Sequence, residues 1–355
     1  MKMKSFLPIL AFILTGIRLV SAQDQHFTQF FASPLTLNPA LTGMYEGKYR
    51  VSAIYREQWA KVLEAPYQTL SAAADFRYPI SRLKRRQSDQ FGVGVLFYND
   101  KVREINFSTN QVMVSLAYHK ALSPLNDQFL SLGVQAGIAQ RNINYSQLTF
   151  DDQFNGSNGY TDPTGERLPE NNFAFGDYQV GLNYTYTPER RTGIFAGVAL
   201  HHILEPEVGF FYRNEPDGEE DERLSSRLFR KYSAYINLRV PMGEYVQFHP
   251  RVLAYVQGPH AALNAGFNFR FLANESKGTA IHLGVWARPV RVDDRYGMDA
   301  IVGMVGLEYQ RVLLGFSYDA NLTDLSVSRR GQGAFELSVA YLGEYVDDSV
   351  LCPKF

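Results

Sequence analysis

Residues 262–271 read ALNAGFNFRF. Leu263, Ala265, Phe267, Phe269 and Phe271 share one face of an extended chain, and Asn264, Gly266, Asn268 and Arg270 share the other. Successive side chains of a strand point to opposite faces, so this period of two predicts a β-strand with one face suited to hydrocarbon and the other to water. The pattern returns in VGLNYTYT (180–187), RVLLGFSYD (311–319) and AFELSVAYL (334–342).

About fourteen such segments can be marked, over 47–57, 66–79, 90–99, 106–120, 127–141, 175–187, 192–201, 229–240, 245–257, 260–272, 279–288, 298–309, 311–319 and 333–344. Most run to about 9 to 13 residues, the length that crosses a bilayer at a tilt. Strands of soluble proteins are nearer about 5 or 6. The gaps support the same reading. REQWAKVLEA, the 142–174 and 202–228 stretches, VRVDDRYGM and LTDLSVSRRGQG are long, whereas TPERR, PMGE and the turn at Gln310 are short. Long and short gaps mostly alternate, as outer loops and periplasmic turns do, although ISRLKRRQSD is longer than that rule prefers. The aromatic content of 14% fits interfacial girdles. The expectation is an all-β, transmembrane outer-membrane β-barrel of about 14 antiparallel strands, against the alternative of a soluble β-sandwich rich in core aromatics.

The ends agree with export. MKMKSFLPILAFILTGIRLVSA (1–22) has early lysines, an apolar run and a small-residue end, the form of a signal peptide cleaved after Ala22. Its loss removes Lys2, Lys4 and Arg18 and takes the formal charge from -1 to -4. That balance gives no basic face for nucleic acid. The one cysteine, Cys352, permits neither an internal disulfide nor an N-terminal lipid. The expected organisation is a signal peptide (1–22), a periplasmic or plug segment (23–46), a barrel (47–344) and a C-terminal tail (345–355), in the outer membrane with periplasmic termini. Outer-membrane lipid is then an expected partner.

FTQFFASPLTLNPALTG near the start, YREQW at Tyr55–Trp59, FGVGVLFYND at Phe91–Asp100, FSYDANLTDLSVSRRGQGAFELSVAYL and the closing CPKF together resemble the PorP/SprF family of type IX secretion and gliding proteins. The resemblance covers nearly all of the mature chain. It implies an outer-membrane barrel that assists secretion or surface attachment of adhesin-like cargo through the cargo's C-terminal sorting domain, in contact with other components of the same machine. The 202–228 loop, with EPDGEEDE, departs most from the family's pattern.

Residues 24–46 carry Pro34 and Pro39, which fix φ and turn the preceding residues away from helix, and the apolar anchors Phe27, Phe30, Phe31 and Leu37. Two readings stand: a partial plug or docking strip in which Pro34, Asn38 and Pro39 shape a partner surface, or a leader closing the barrel's base. Tyr55, Arg56, Gln58 and Trp59 end the first strand at the outer rim. Headgroup anchoring accounts for the Trp, while the Arg and Gln donors suit a partner or the organisation of outer loops.

Strand parity turns Arg50, Arg77, Arg239, Arg251, Arg270 and Arg311 inward, with Asp75, Glu308, Asp319 and Glu336. This is either a basic track for an anion or cargo segment, or a salt-bridge network stiffening the wall. His201 and His202 are expected at the same outer rim as Asp293 and Asp294, without a nucleophile motif, so no enzyme and no catalytic residues are expected. Asp151, Asp152, Asn155, Asn158 and Asp162 offer oxygens for calcium without EF-hand spacing and read better as a Gly-rich turn. GEEDE (218–222) reads as a solvated loop tip. No cofactor or metal is expected. A channel for small or hydrophobic molecules is the alternative function, disfavoured by the polar inner face.

Overall fold

Fourteen antiparallel strands close into a barrel in the computed structural model, each hydrogen-bonded to its sequence neighbours and the last to the first. They are β1 (Tyr49–Gln58), β2 (Tyr67–Ile80), β3 (Asp89–Val102), β4 (Phe107–Ala121), β5 (Gln128–Ile143), β6 (Asn172–Tyr186) and β7 (Gly193–His201). The second half comprises β8 (Lys231–Pro241), β9 (Val246–Gln257), β10 (His260–Asn274), β11 (Thr279–Val292), β12 (Arg295–Tyr309), β13 (Val312–Asn321) and β14 (Gly333–Leu342). The structure describes residues 26–45, 47–60, 66–80, 88–103, 105–157, 159–166, 168–188, 191–210, 226–274, 278–292, 295–322 and 333–343. The expected signal peptide (1–22), Asn158, the GEEDE tip, Asp293, Asp294 and the expected C-terminal tail with Cys352 lie outside those residues.

Closure follows from the register. Arg50 pairs with Leu342 and Gln58 with Ala334 across the β1–β14 seam, so no edge strand is left with unpaired backbone groups. The two faces separate as the alternation requires. On β4, Val112, Val114, Leu116 and Tyr118 are exposed outward, while Met113, Ser115, Ala117 and His119 are buried inside. Rings gather near the strand ends, where Tyr49 meets Phe76 and Tyr341 at one rim, and Tyr55 meets Phe335 and Trp59 meets Tyr67 at the other.

Expected and observed strands agree within a few residues except at one hairpin. VRVDDRYGM was expected as a long outer loop, but β11 continues to Val292 and β12 begins at Arg295, with Arg291 paired to Tyr296. The cluster of charges there masks an alternation that the ladder still uses. A register shift at Arg288/Pro289 accommodates Pro289, which has no N–H for the ladder.

The rim carrying Tyr49 and Leu342 is the periplasmic one in the expected orientation. The segment before β1 does not stay at that rim. Residues 26–45 fold inside the lumen as a 3-10 turn (Phe30–Ala32), a short helix α1 (Pro34–Leu37) and a second 3-10 turn (Pro39–Leu41). His26, Thr28 and Gln29 lie level with the outer halves of the strands, and the chain descends through Gly43 to the periplasmic rim.

Candidate functional site

Fourteen strands enclose more space than wall side chains fill, since about eight strands already give an interior that side chains pack. Here the N-terminal segment takes that space. Phe27, Phe30, Phe31, Leu37, Leu41 and Met44 form one buried apolar cluster with wall residues including Phe129, Leu253 and Trp286. Each such side chain buried contributes roughly 1.5–3 kcal/mol. The awkward rhythm of the segment is that of a filling, which meets wall on all sides.

Three anchors hold it. At the outer end, Thr28 N donates to Glu336 Oε1 (2.7 Å) and Gln29 N to Glu336 Oε2 (2.8 Å). Thr28 Oγ1 donates to Asp319 Oδ2 (2.8 Å) and accepts from Arg56 Nη1 (3.1 Å) and Arg288 Nη1 (2.8 Å). Arg56 bridges Glu336 (2.5 Å) and Asp319 (3.0 Å), and Arg288 bridges Asp319 (2.7 Å) and Asp299 (2.7 Å). The charges on four strands thus converge on one threonine of the segment.

At mid-barrel, Asn38 caps the second turn by accepting from Ala40 N (2.8 Å) and donates Nδ2 to the carbonyls of Leu182 (3.0 Å) and Val198 (3.1 Å). Thr42 Oγ1 meets Ser115 Oγ at 2.6 Å, and its carbonyl lies 2.8 Å from His119 Nε2. At the periplasmic end, Asp75 accepts from Gly43 N (2.7 Å) and pairs with Arg50 (2.8 Å). Tyr45 Oη donates to the Asp75 carbonyl (2.6 Å), and burial, with the Asp75 charge beside it, pushes this phenol up so that it stays a donor.

Inward glycines make this approach feasible. A Cβ on Gly181 would strike the Asn38 amide, one on Gly133 the Pro39–Ala40 peptide, and one on Gly92 the Thr42 carbonyl. A lumen-facing glycine in a strand marks the close approach of another backbone.

Pro34, Asn38 and Pro39 are therefore together, buried against the wall. Arg56 is 1% exposed and belongs to the outer anchor. Tyr55, on the lipid side, donates to Glu57 (2.6 Å). Gln58 ends β1, and Trp59 follows at φ 60°. Of the inward charges, Arg50, Asp75, Glu308, Asp319 and Glu336 sit in ion pairs, as does Arg270 with Glu308 (2.6 Å). Arg251 does not.

His201 and His202 stand at the outer end of β7, as expected, and both are buried. They turn inward at the end of β7, where His202 Nδ1 lies 3.0 Å from Asp177 on the adjacent β6 and His201 Nδ1 lies 2.7 Å from Gln179. Asp177 also accepts from Gln111 (2.8 Å). These residues line a cavity of about 280 Å³ above the segment, floored by Thr36 and flanked by Asp100, Phe107 and Arg141. The described start of the β7–β8 connection (202–210) lies beside it, with Arg141 donating to the Val208 carbonyl (3.0 Å). In the 151–166 loop, Asp152 accepts from Thr164 and Gly165 and Asn155 from Ser157 and Gly159, so these oxygens shape the turn. No group of three or more metal-ligating side chains occurs among the described residues.

Comparison with known proteins locates the chain. The family model described as "Type IX secretion system membrane protein PorP/SprF" matches residues 19–341. No curated protein matches. Among solved structures, a Pseudomonas aeruginosa FadL homologue is similar at TM-score 0.45 and 10% identity, over 86% of this chain and 92% of that one. The P. putida toluene transporter TodX is similar at 0.42 and 10%, over 86% and 92%. BamA from Haemophilus ducreyi lacking POTRA domains 1–3 is similar at 0.42 and 9%, over 84% and 70%. Likeness this distant does not bear on function.

Proposed function

We propose that this chain, which belongs to the type IX secretion system membrane protein family PorP/SprF, is a docking barrel of that machinery with a closed lumen. It is an outer-membrane protein, and other secretion components are its partners. In this reading it assists secretion or surface attachment of an adhesin-like cargo through the cargo's C-terminal sorting domain, and the cargo does not travel through the barrel.

The observation that carries the reading is the filled lumen. Residues 26–45 are tied to the wall at three levels, and a conduit for a polypeptide requires all three to part. A partner then meets rims and loops. Tyr55, Gln58 and Trp59 offer an aromatic and amide edge at the outer rim, while Pro34, Asn38, Pro39 and Arg56 act indirectly by seating the segment beneath it.

The test is a pull-down of the tagged protein from detergent-solubilised outer membranes, with mass spectrometry of what is retained. A large surface protein bound through its C-terminal domain, beside secretion components, supports the docking barrel. Recovery of the barrel alone with a small solute or lipid supports the channel reading instead. Trp59→Ala is expected to assemble normally while retaining less cargo.

A further inference from the structure

The inward faces of β8, β9 and β10 carry Lys231, Arg239, His249, Arg251, His260 and Arg270, and no aspartate or glutamate. Glu308 on β12 is already held by Arg270 (2.6 Å) and His282 (2.8 Å). In this wall Arg251 is 3% exposed, and its Nε and Nη1 have no hydrogen-bond partner among the described residues. Its guanidinium lies 3.9 Å from the ring centre of Phe31, which also meets Phe30 edge-on at 5.8 Å and stacks on Trp286 at 5.9 Å. The Trp286 N–H is also buried without an acceptor among the described residues.

A cation over an aromatic ring gains less than it costs to take an unpaired charge out of water. The ring alone does not compensate Arg251, and an anion does. We propose that the lumen wall at Arg251 and Trp286 binds a small oxyanion, of the phosphate, sulfate or carboxylate type, beside Phe31. Arg251 supplies charge and two N–H donors, and Trp286 supplies a third donor. Asn237, in register with Arg251, has its Oδ1 unpartnered, so half a turn of that amide presents Nδ2 as a fourth. The wall chemistry is independent of the secretion role. Its consequence is local to the plug, because the ion completes the seat of Phe31.

The test uses the full-length protein in detergent and inorganic phosphate as probe, with chloride at equal ionic strength as reference. Calorimetric titration is expected to give saturable phosphate binding with Kd at or below about 1 mM, accompanied by a rise in unfolding temperature. Arg251→Met removes an uncompensated buried charge and so is expected to fold, but to weaken binding by at least about tenfold. Trp286→Phe keeps the ring, loses the N–H and weakens binding several-fold. Lys120→Gln, whose lysine is half-exposed, serves as the control for general electrostatics and binds as the parent does. Equal responses to phosphate and chloride, an unchanged response in Arg251→Met, or a density map with only water at Arg251 overturns the proposal.

Discussion

The side chain of Asn38 lies where a Cβ on Gly181 would stand. From there Asn38 reaches the carbonyls of Leu182 on β6 and Val198 on β7, a pair in register with each other. The strand wall and the N-terminal segment are thus fitted at one residue of each. Gly181→Val is expected to push the segment from its seat while leaving the strand ladder intact, at a cost of about 1–3 kcal/mol. Limited proteolysis of the purified barrel checks this, since cleavage within 26–45 should rise in the variant and remain slow in the parent.

The outer anchor makes a larger prediction. Arg56→Met leaves Asp319 facing only Arg288 and leaves Glu336 without its cation. Removing one member of a buried ion pair costs about 3–5 kcal/mol. Thermal unfolding in detergent should show that loss, and Arg56→Met combined with Glu336→Gln should recover part of it.

The lipid face is tested separately at Val114, which lies mid-strand on β4 and is 50% exposed. Val114→Lys is expected to destabilise the barrel by about 2–4 kcal/mol in a bilayer. Refolding into vesicles measures this. The neighbouring inward Ser115→Ala should instead weaken only the Thr42 contact.

Deleting 26–45 removes the filling without touching a strand. Planar-bilayer recordings should find the parent closed and the deletion conducting, because fourteen strands without a plug leave an aqueous path.

The strands were legible because a bilayer imposes length and alternation together, and the ten residues 262–271 display both. The β11–β12 hairpin is hard to read because Arg291, Asp293, Asp294 and Arg295 look like loop, whereas Arg291 still pairs with Tyr296 and Val292 with Arg295. The plug was only half legible. Phe27, Phe30 and Phe31 announced apolar anchors, but nothing in a segment without a period says which wall residues meet it. The missed partners, Thr28, Gln29, His119 and Arg288, are polar residues whose pairing is set by barrel closure across roughly the full chain. The overlooked signal was Gly92, Gly133 and Gly181, inward glycines on three different strands. His201 and His202 stand at the expected strand end, and their partners, Gln179 for His201 and Asp177 for His202, lie on the adjacent β6, which strand-by-strand reading does not reveal.

The most direct measurement locks the plug to the wall. Thr42 and Ser115 touch through their hydroxyls at 2.6 Å, so Thr42→Cys with Ser115→Cys, in a chain whose Cys352 is replaced by serine, is designed to form a disulfide between segment and strand. Cargo display on the cell surface is then compared with and without reductant. A docking barrel predicts unchanged display with the lock closed. Loss of display on locking, restored by reduction, contradicts the account and makes the lumen a path.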